Sequence, residues 1–219
     1  MLRRQWISDD SVEVGLDEAG RGTLWGRLYV AAVILSPEDA AYSDHGVSLR
    51  QIKDSKKLSK RLRAILNDYI RENAIESAIA WSDIEEIDTL NILQADMAAM
   101  HRALSSLITP FQRILVDGNY WSPWKYPDSQ NSVPFETIEK GDTVSLPIAA
   151  ASVLAKEAHD SWVRDQLDAD PTLDERYGFG SNMGYGTAKH LKGLEVWGPH
   201  HLHRKSFEPV KRSMGWLGT

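Results

Sequence analysis

The 219-residue sequence contains no cysteine. That excludes disulfides and thiolate metal sites, and leaves carboxylate, carbonyl and imidazole as the ligand chemistry available. No uninterrupted apolar run approaches membrane-spanning length. The start, MLRRQWISDD, has basic residues without an apolar stretch behind them, so no signal peptide is expected and the cytoplasm is the expected location. Internal repeats, low-complexity runs and clear linkers are also missing. Positive charge is scarce overall: the formal net charge is −6, which taken alone argues against a polyanionic partner. The distribution argues the other way. Lys53, Lys56, Lys57, Lys60, Arg61 and Arg63 follow Arg50 with Asp54 as the one intervening acid. A second basic segment runs from Lys189 to Arg212, while negative charge gathers elsewhere, as in Ser82–Asp88. Two basic segments on an acidic background are compatible with a localised phosphate-binding face.

What is present is a core. At 42% hydrophobic and 26% charged residues, the chain has the composition of a soluble globular protein, and its alternating strand and helix patterns read as α/β. Val12–Leu16 and Leu28–Leu35 read as strands, the second a continuous apolar run suited to the centre of a sheet. Ser59 is placed to cap a helix carrying Leu62, Ile65, Leu66 and Tyr69. Ile75–Trp81 is a short strand candidate. Residues 89–107 read as one amphipathic helix after an acidic turn, with Leu90, Leu93, Met97, Met100 and Leu104 on its apolar face. Ile114–Val116 forms a buried strand delivering Asp117 at its carboxyl end, where open sheets place ligands. Phe135–Lys140 is a further strand. Ile148–Asp168 reads as a long helix with Ser152, Lys156 and Asp160 along one face. Beyond Pro171 a glycine-rich stretch leads to a short helix, Ala188–Val196. The simplest organisation is one domain over 1–219, with roughly 172–219 as a C-terminal appendage.

The chemistry concentrates in GLDEAGRG, Gly15–Gly22. Adjacent carboxylates at the end of an apolar strand meet a glycine-bracketed arginine, so acidic groups stand beside free backbone N–H groups. Asp17, Glu18, Asp117 and Asp160 each sit at a strand end or on a polar helix face. Carboxylates that converge repel one another unless they hold cations. Oxygen-only ligation suits magnesium or manganese, and two such ions can activate a water and stabilise a leaving oxygen.

Eight motifs, in order, resemble the ribonuclease HII family: GLDEAGRG, KDSKKLS (Lys53–Ser59), IDTLNI with Ala95 and Met100, LVDGN, KGD (Lys140–Asp142), IAAASVLAK, GYGT and HRKSF (His203–Phe207). The resemblance spans Gly15 to Val210. It implies an RNase H-like mixed five-stranded sheet flanked by helices, with a helical C-terminal part that contacts substrate. It implies a two-metal endonuclease that cuts the RNA strand of RNA–DNA hybrids and nicks 5′ of ribonucleotides embedded in duplex DNA, leaving a 3′-hydroxyl and a 5′-phosphate, in ribonucleotide removal. Carried over by position, Asp17, Glu18, Asp117 and Asp160 are the catalytic, metal-binding acids for Mn2+ or Mg2+. Gly20, Arg21 and Gly22 read the ribose 2′-hydroxyl through their backbone, which glycine lets approach closely. Tyr185 packs on the sugar of the following deoxynucleotide, Lys53, Ser55 and Lys56 contact phosphates, and Ser152 and Lys156 support the metal site. A monomer is expected. The sister family, ribonuclease HIII, differs in its glycine motif and carries an additional N-terminal domain, which is not expected here with the first catalytic acid already at Asp17.

The sequence departs from the family in places. After GRG the family usually has Pro-Leu-Ala-Gly-Pro, where this chain has Thr23-Leu24-Trp25-Gly26-Arg27, and His159 stands where arginine is common. Trp25 either reshapes the groove or covers apolar surface, and we expect the latter. Trp121, Trp124 and Tyr126, in an irregular proline-rich stretch, could stack on bases; packing is expected. His190, His200, His201 and His203 are too irregularly spaced for a zinc site. Neither a structure-selective DNA nuclease of the same fold nor a weakly catalytic hybrid-binding protein is excluded by sequence. A sliding-clamp peptide is not evident at the C-terminus, although MGWL (214–217) is apolar.

Overall fold

The computed structural model describes residues 2–36, 51–52 and 58–215. Lys53, Ser55 and Lys56 lie outside the described residues, as does the end of the MGWL stretch. Among the described residues one sheet is formed by β1 (Glu13–Ala19), β2 (Leu28–Ile34), β3 (Glu76–Ser82), β4 (Arg113–Asp117) and β5 (Phe135–Ile138). Its order is β3-β2-β1-β4-β5. The β1–β2 and β2–β3 pairs are antiparallel, whereas β1–β4 and β4–β5 are parallel. This is the mixed five-stranded sheet implied by the resemblance.

Both faces of the sheet are covered, which is why β2 is buried along its whole length. On one face Val14, Leu16, Val30, Ala32 and Ile34 pack against Met97, Met100 and Leu104 of α3 (Ile92–Ser105). On the other, Ala31 and Val33 meet Leu66 and Ile70 of α1 (Lys60–Asn73) and the alanine-rich start of α4 (Leu146–Ala169). Each valine, leucine, isoleucine or methionine among them contributes roughly 1.5–3 kcal/mol when fully buried. Small residues let α4 lie close. A Cβ on Gly15 would collide with the backbone of Pro147 and Ile148, so β1 and α4 touch main chain to main chain there. The Ser59 hydroxyl accepts from Leu62 N–H at 3.2 Å and starts α1.

The region expected as an acidic turn and one helix is two helices. α2 (Ile84–Leu90) begins in the acidic residues, with Glu85 and Glu86 in its first turn, where the helix dipole favours them. Asn91, at φ 72° and ψ 163°, ends it and caps α3 through its side-chain oxygen. β1 also runs three residues further than expected, so Asp17 and Glu18 lie within the strand and point to opposite faces.

The C-terminal part holds α5 (Thr172–Tyr177), α6 (Phe179–Asn182), α7 (Ala188–Trp197) and α8 (Glu208–Ser213). It packs on α4 and on the β1–β2 connection through a cluster of Trp25, Val163, Leu173, Tyr177, Phe179 and Met183. Trp25 is wholly buried in that cluster, against Phe179 and Trp162. Trp121 and Trp124 are buried under α3, with Trp124 stacked on Phe111.

Candidate active site

Register builds the site. Leu16 is paired with Val116 across the parallel β1–β4 ladder, so the next residues, Asp17 and Asp117, stand side by side at the same end of the sheet. Ligand oxygens of Asp17, Glu18 and Asp117 lie within 4.8 Å of one another, and this is the one such acidic or histidine group among the described residues.

Each acid is oriented. Asp17 Oδ1 accepts from the Glu18 N–H at 2.7 Å, and the Ser152 hydroxyl on α4 also bonds this carboxylate. Asp117 Oδ1 accepts from the Gly141 N–H at 2.6 Å. Glu18, on the opposite face, is 3.7 Å from Arg21 Nη1, which is in turn 3.8 Å from the buried Asp96 of α3. Burial pushes the Asp17 carboxyl well above its usual range, and the neighbouring Glu18 and Asp117 add to the shift. Glu18 is raised by burial and by Asp117, with Arg21 opposing. Crowded, desolvated carboxylates of this kind are the charge pattern that a bound divalent cation relieves.

Asp160 is not in that group. Its Oδ2 accepts from Arg63 Nη2 at 2.8 Å, and its Oδ1 from Lys156 Nζ at 2.7 Å and His159 Nδ1 at 3.1 Å. Although burial raises it, the bonds from His159 and Lys156 hold it down to about 2. Arg63, which closes the basic run that begins at Arg50, is buried, and it also pairs with Glu157 at 3.0 Å.

A different acid stands near Asp117. Asp142 is buried in the 3-10 turn Gly141–Thr143, one residue beyond the amide that holds Asp117. The Lys140–Asp142 triplet contains an acid in a motif of the resemblance, and that was the available signal. Spacing does not separate Asp142 from Asp160.

The Gly20–Gly22 turn follows β1 directly. Gly20 has φ 84°, and a Cβ there would meet the His159 ring, so both conformation and space require glycine. Tyr185, 40% exposed, faces Gly22: a Cβ on that glycine would lie 3.8 Å from its ring. Lys156 Nζ is 5.7 Å from the centre of the Tyr185 ring. Among the described residues the histidines do not group as three or more metal ligands. The Trp25 indole N–H donates to His200 Nδ1, the His200 N–H to His203 Nδ1, and His190 Nδ1 meets the Tyr185 carbonyl. His190 and His203 share a 2.9 Å bond between their Nε2 atoms. That leaves their ring nitrogens engaged with one another and with the backbone.

A sheet whose central parallel pair ends in clustered carboxylates is able to hold divalent cations at that edge. Residues 14–210 match the profile of Ribonuclease HII. The chain is 43% identical over 203 residues to Ribonuclease HII of Laribacter hongkongensis, covering 91% of this chain and 92% of that one. Its fold is similar to the ribonuclease H2 of Pyrococcus horikoshii, with TM-score 0.66, 23% identity and coverage of 93% and 97% of the two chains. It is also similar to the RNase HII solved in complex with PCNA from Archaeoglobus fulgidus, with TM-score 0.60, 25% identity and coverage of 90% and 95%. The chain belongs to the ribonuclease HII family, and is an endoribonuclease of RNA–DNA hybrids.

Proposed function

We propose that this enzyme, besides cutting the RNA strand of hybrids, nicks duplex DNA on the 5′ side of an embedded ribonucleotide, leaving a 3′-hydroxyl and a 5′-phosphate, and so serves ribonucleotide removal. The observation that carries this reading is adjacency. Three carboxylates lie within 4.8 Å of one another, and two residues after Glu18, just past the end of β1, comes a glycine-flanked turn capable of close backbone contact. Only the 2′-hydroxyl distinguishes ribose from deoxyribose at a single position, and backbone groups without intervening side chains can reach it.

The donor set fits magnesium or manganese. Three carboxylates leave places for water and for a phosphate oxygen, as those ions require. A pair of such ions, when bound, supplies an activated water and a counter-charge for the leaving oxygen. Asp17, Glu18 and Asp117 would hold them, with Ser152 and the Gly141 amide fixing two of the three carboxylates. Asp142, outside the 4.8 Å group but buried in the turn whose Gly141 amide holds Asp117, would join them as the fourth acid. Asp160, expected as a ligand, acts as a positioning group: its oxygens are taken by Arg63, Lys156 and His159, and it holds Lys156 beside Tyr185.

Tyr185 packs on the sugar that follows the ribonucleotide. Arg21, and Lys53, Ser55 and Lys56 outside the described residues, contact the phosphates. The enzyme acts as a monomer. Among the described residues no helix is long and apolar enough to cross a membrane.

The test offers three duplexes with magnesium or manganese: DNA with one ribonucleotide, a full RNA–DNA hybrid, and plain DNA. A nick 5′ of the lone ribonucleotide, cleavage of the hybrid and intact DNA are expected. Cleavage of plain DNA, or an uncut single-ribonucleotide duplex, contradicts the reading.

A further inference from the structure

The connection between β1 and β2 is laced into the C-terminal part along both edges. The Leu24 N–H donates to the Gly184 carbonyl at 2.9 Å, and the Gly26 N–H to the Leu202 carbonyl at 3.0 Å. The Arg204 N–H returns a bond to the Leu24 carbonyl at 2.9 Å. These bonds fix residues 24–26 and leave Gly20–Gly22 to be held by other means.

Two side chains do this. The Thr23 hydroxyl donates to the Gly20 carbonyl at 2.9 Å. The Arg204 guanidinium donates through Nη1 to the Arg21 carbonyl at 3.1 Å and through Nε to the Gly26 carbonyl at 2.9 Å, spanning the turn from one side to the other. In a planar trans peptide the C=O and N–H point in opposite directions. Holding the Gly20 and Arg21 carbonyls toward Thr23 and Arg204 therefore turns the Arg21 and Gly22 N–H groups away from them.

Arg204 is an expensive way to brace a turn. It is wholly buried, forms no ion pair among the described residues, and its Nη2 has no hydrogen-bond acceptor among them. A buried cation with no ion-pair partner, whose compensation is the Phe207 ring 5.3 Å away and the charge of Asp88 farther off, costs stability that an apolar side chain of the same volume would not. Local costs of this kind point to a functional constraint when the geometry supplies one.

We propose that Arg204 is a positioning residue for ribose recognition: from the C-terminal segment it fixes the direction in which the Gly20–Arg21–Gly22 turn presents its N–H groups to the 2′-hydroxyl. The inference rests on the reading of that turn as the ribose probe. Arg204 touches no substrate; it acts through the Arg21 carbonyl.

The test measures binding of the full chain to a duplex with one ribonucleotide and to the same duplex in DNA, with calcium replacing the catalytic ions so that neither is turned over. Wild type is expected to prefer the ribonucleotide duplex. Arg204→Lys keeps the charge but cannot span both carbonyls, and should narrow that preference about tenfold, the worth of one charge-assisted hydrogen bond. Its affinity for the DNA duplex should stay unchanged. Thr23→Val, which removes the hydroxyl from the Gly20 carbonyl, should narrow the preference in the same direction, and decides the matter if Arg204→Lys does not fold. Equal loss on both duplexes, or a preference kept intact, overturns the role of Arg204. A wild type without any preference overturns instead the ribose-reading assignment beneath it.

Discussion

Arg63 and Asp160 meet at 2.8 Å, both buried, across the contact between α1 and α4. Lys156 and His159 take the other carboxylate oxygen. Asp160 is thus a compensated charge that fastens two helices, whereas Asp17 is a desolvated one facing two further acids. The two acids should respond oppositely to neutralisation. Removing one partner of a buried pair strands the other, at about 3–5 kcal/mol. Asp160→Asn is therefore expected to lower unfolding stability by an amount of that order, because Arg63 and Lys156 lose their counter-charge. Asp17→Asn relieves repulsion and should leave stability in metal-free buffer unchanged or higher. Denaturant unfolding of both variants checks this. An Asp160→Asn protein as stable as wild type but unable to bind manganese would return Asp160 to the ligand set.

Asp142 offers the complementary test. Titration of manganese into Asp142→Asn should show weaker binding than in wild type, with the fold intact by circular dichroism. Folded Asp160→Asn should lose less affinity than Asp142→Asn. The reverse order would remove Asp142 from the site.

The buried histidines set a dependence on pH. Burial and the neighbouring His190 lower His203 to about 3, and burial lowers His190 as well. In the neutral chain His190 Nδ1–H donates to the Tyr185 carbonyl, so its Nε2 accepts from His203, whose Nδ1 accepts from the His200 N–H. A proton on His190 sets two N–H groups against each other. Above about pH 6.5 both states are unprotonated and this contribution is fully present. As pH falls below that, the unfolded chain binds protons that the native state refuses, and stability drops by up to about 1.4 kcal/mol per pH unit through His203, with His190 acting in the same direction. Carboxylates with raised values act in the opposite sense, so the informative quantity is the difference between wild type and His203→Gln. Its slope between pH 6.5 and 5 should be shallower in the variant. Equal slopes would show that His203 is protonated in the folded state.

How far the residues alone reach depends on what kind of signal each carries. The apolar run Leu28–Leu35 marks the buried central strand, and LVDG marks the end of β4, because burial on both faces leaves an unbroken pattern. GLDEAGRG marks the site because two adjacent acids at the end of an apolar strand run straight into a glycine-bracketed arginine. The break at Asn91 was invisible, since a φ of 72° in one polar residue leaves the apolar spacing on either side intact. Arg63 and Arg204 look like any basic residue in a basic segment. That both are buried depends on tertiary contacts with α4 and with the β1–β2 turn. The choice between Asp142 and Asp160 likewise rests on which cations and amides surround each, which no spacing encodes.

Tyr185 should matter most where ribose and deoxyribose adjoin. Its ring faces Gly22 and is 40% exposed. Tyr185→Ala is expected to reduce kcat/KM on the single-ribonucleotide duplex more than on the full hybrid, where no such junction exists. Equal loss on both substrates would refute the junction role.

The most direct measurement is single-turnover cleavage of a single-ribonucleotide duplex by wild type and Asp17→Asn over a magnesium titration. The account predicts cleavage 5′ of the ribonucleotide that rises with magnesium in wild type and stays at background in Asp17→Asn. Cleavage by wild type in chelator, or by Asp17→Asn at the wild-type rate, would contradict it.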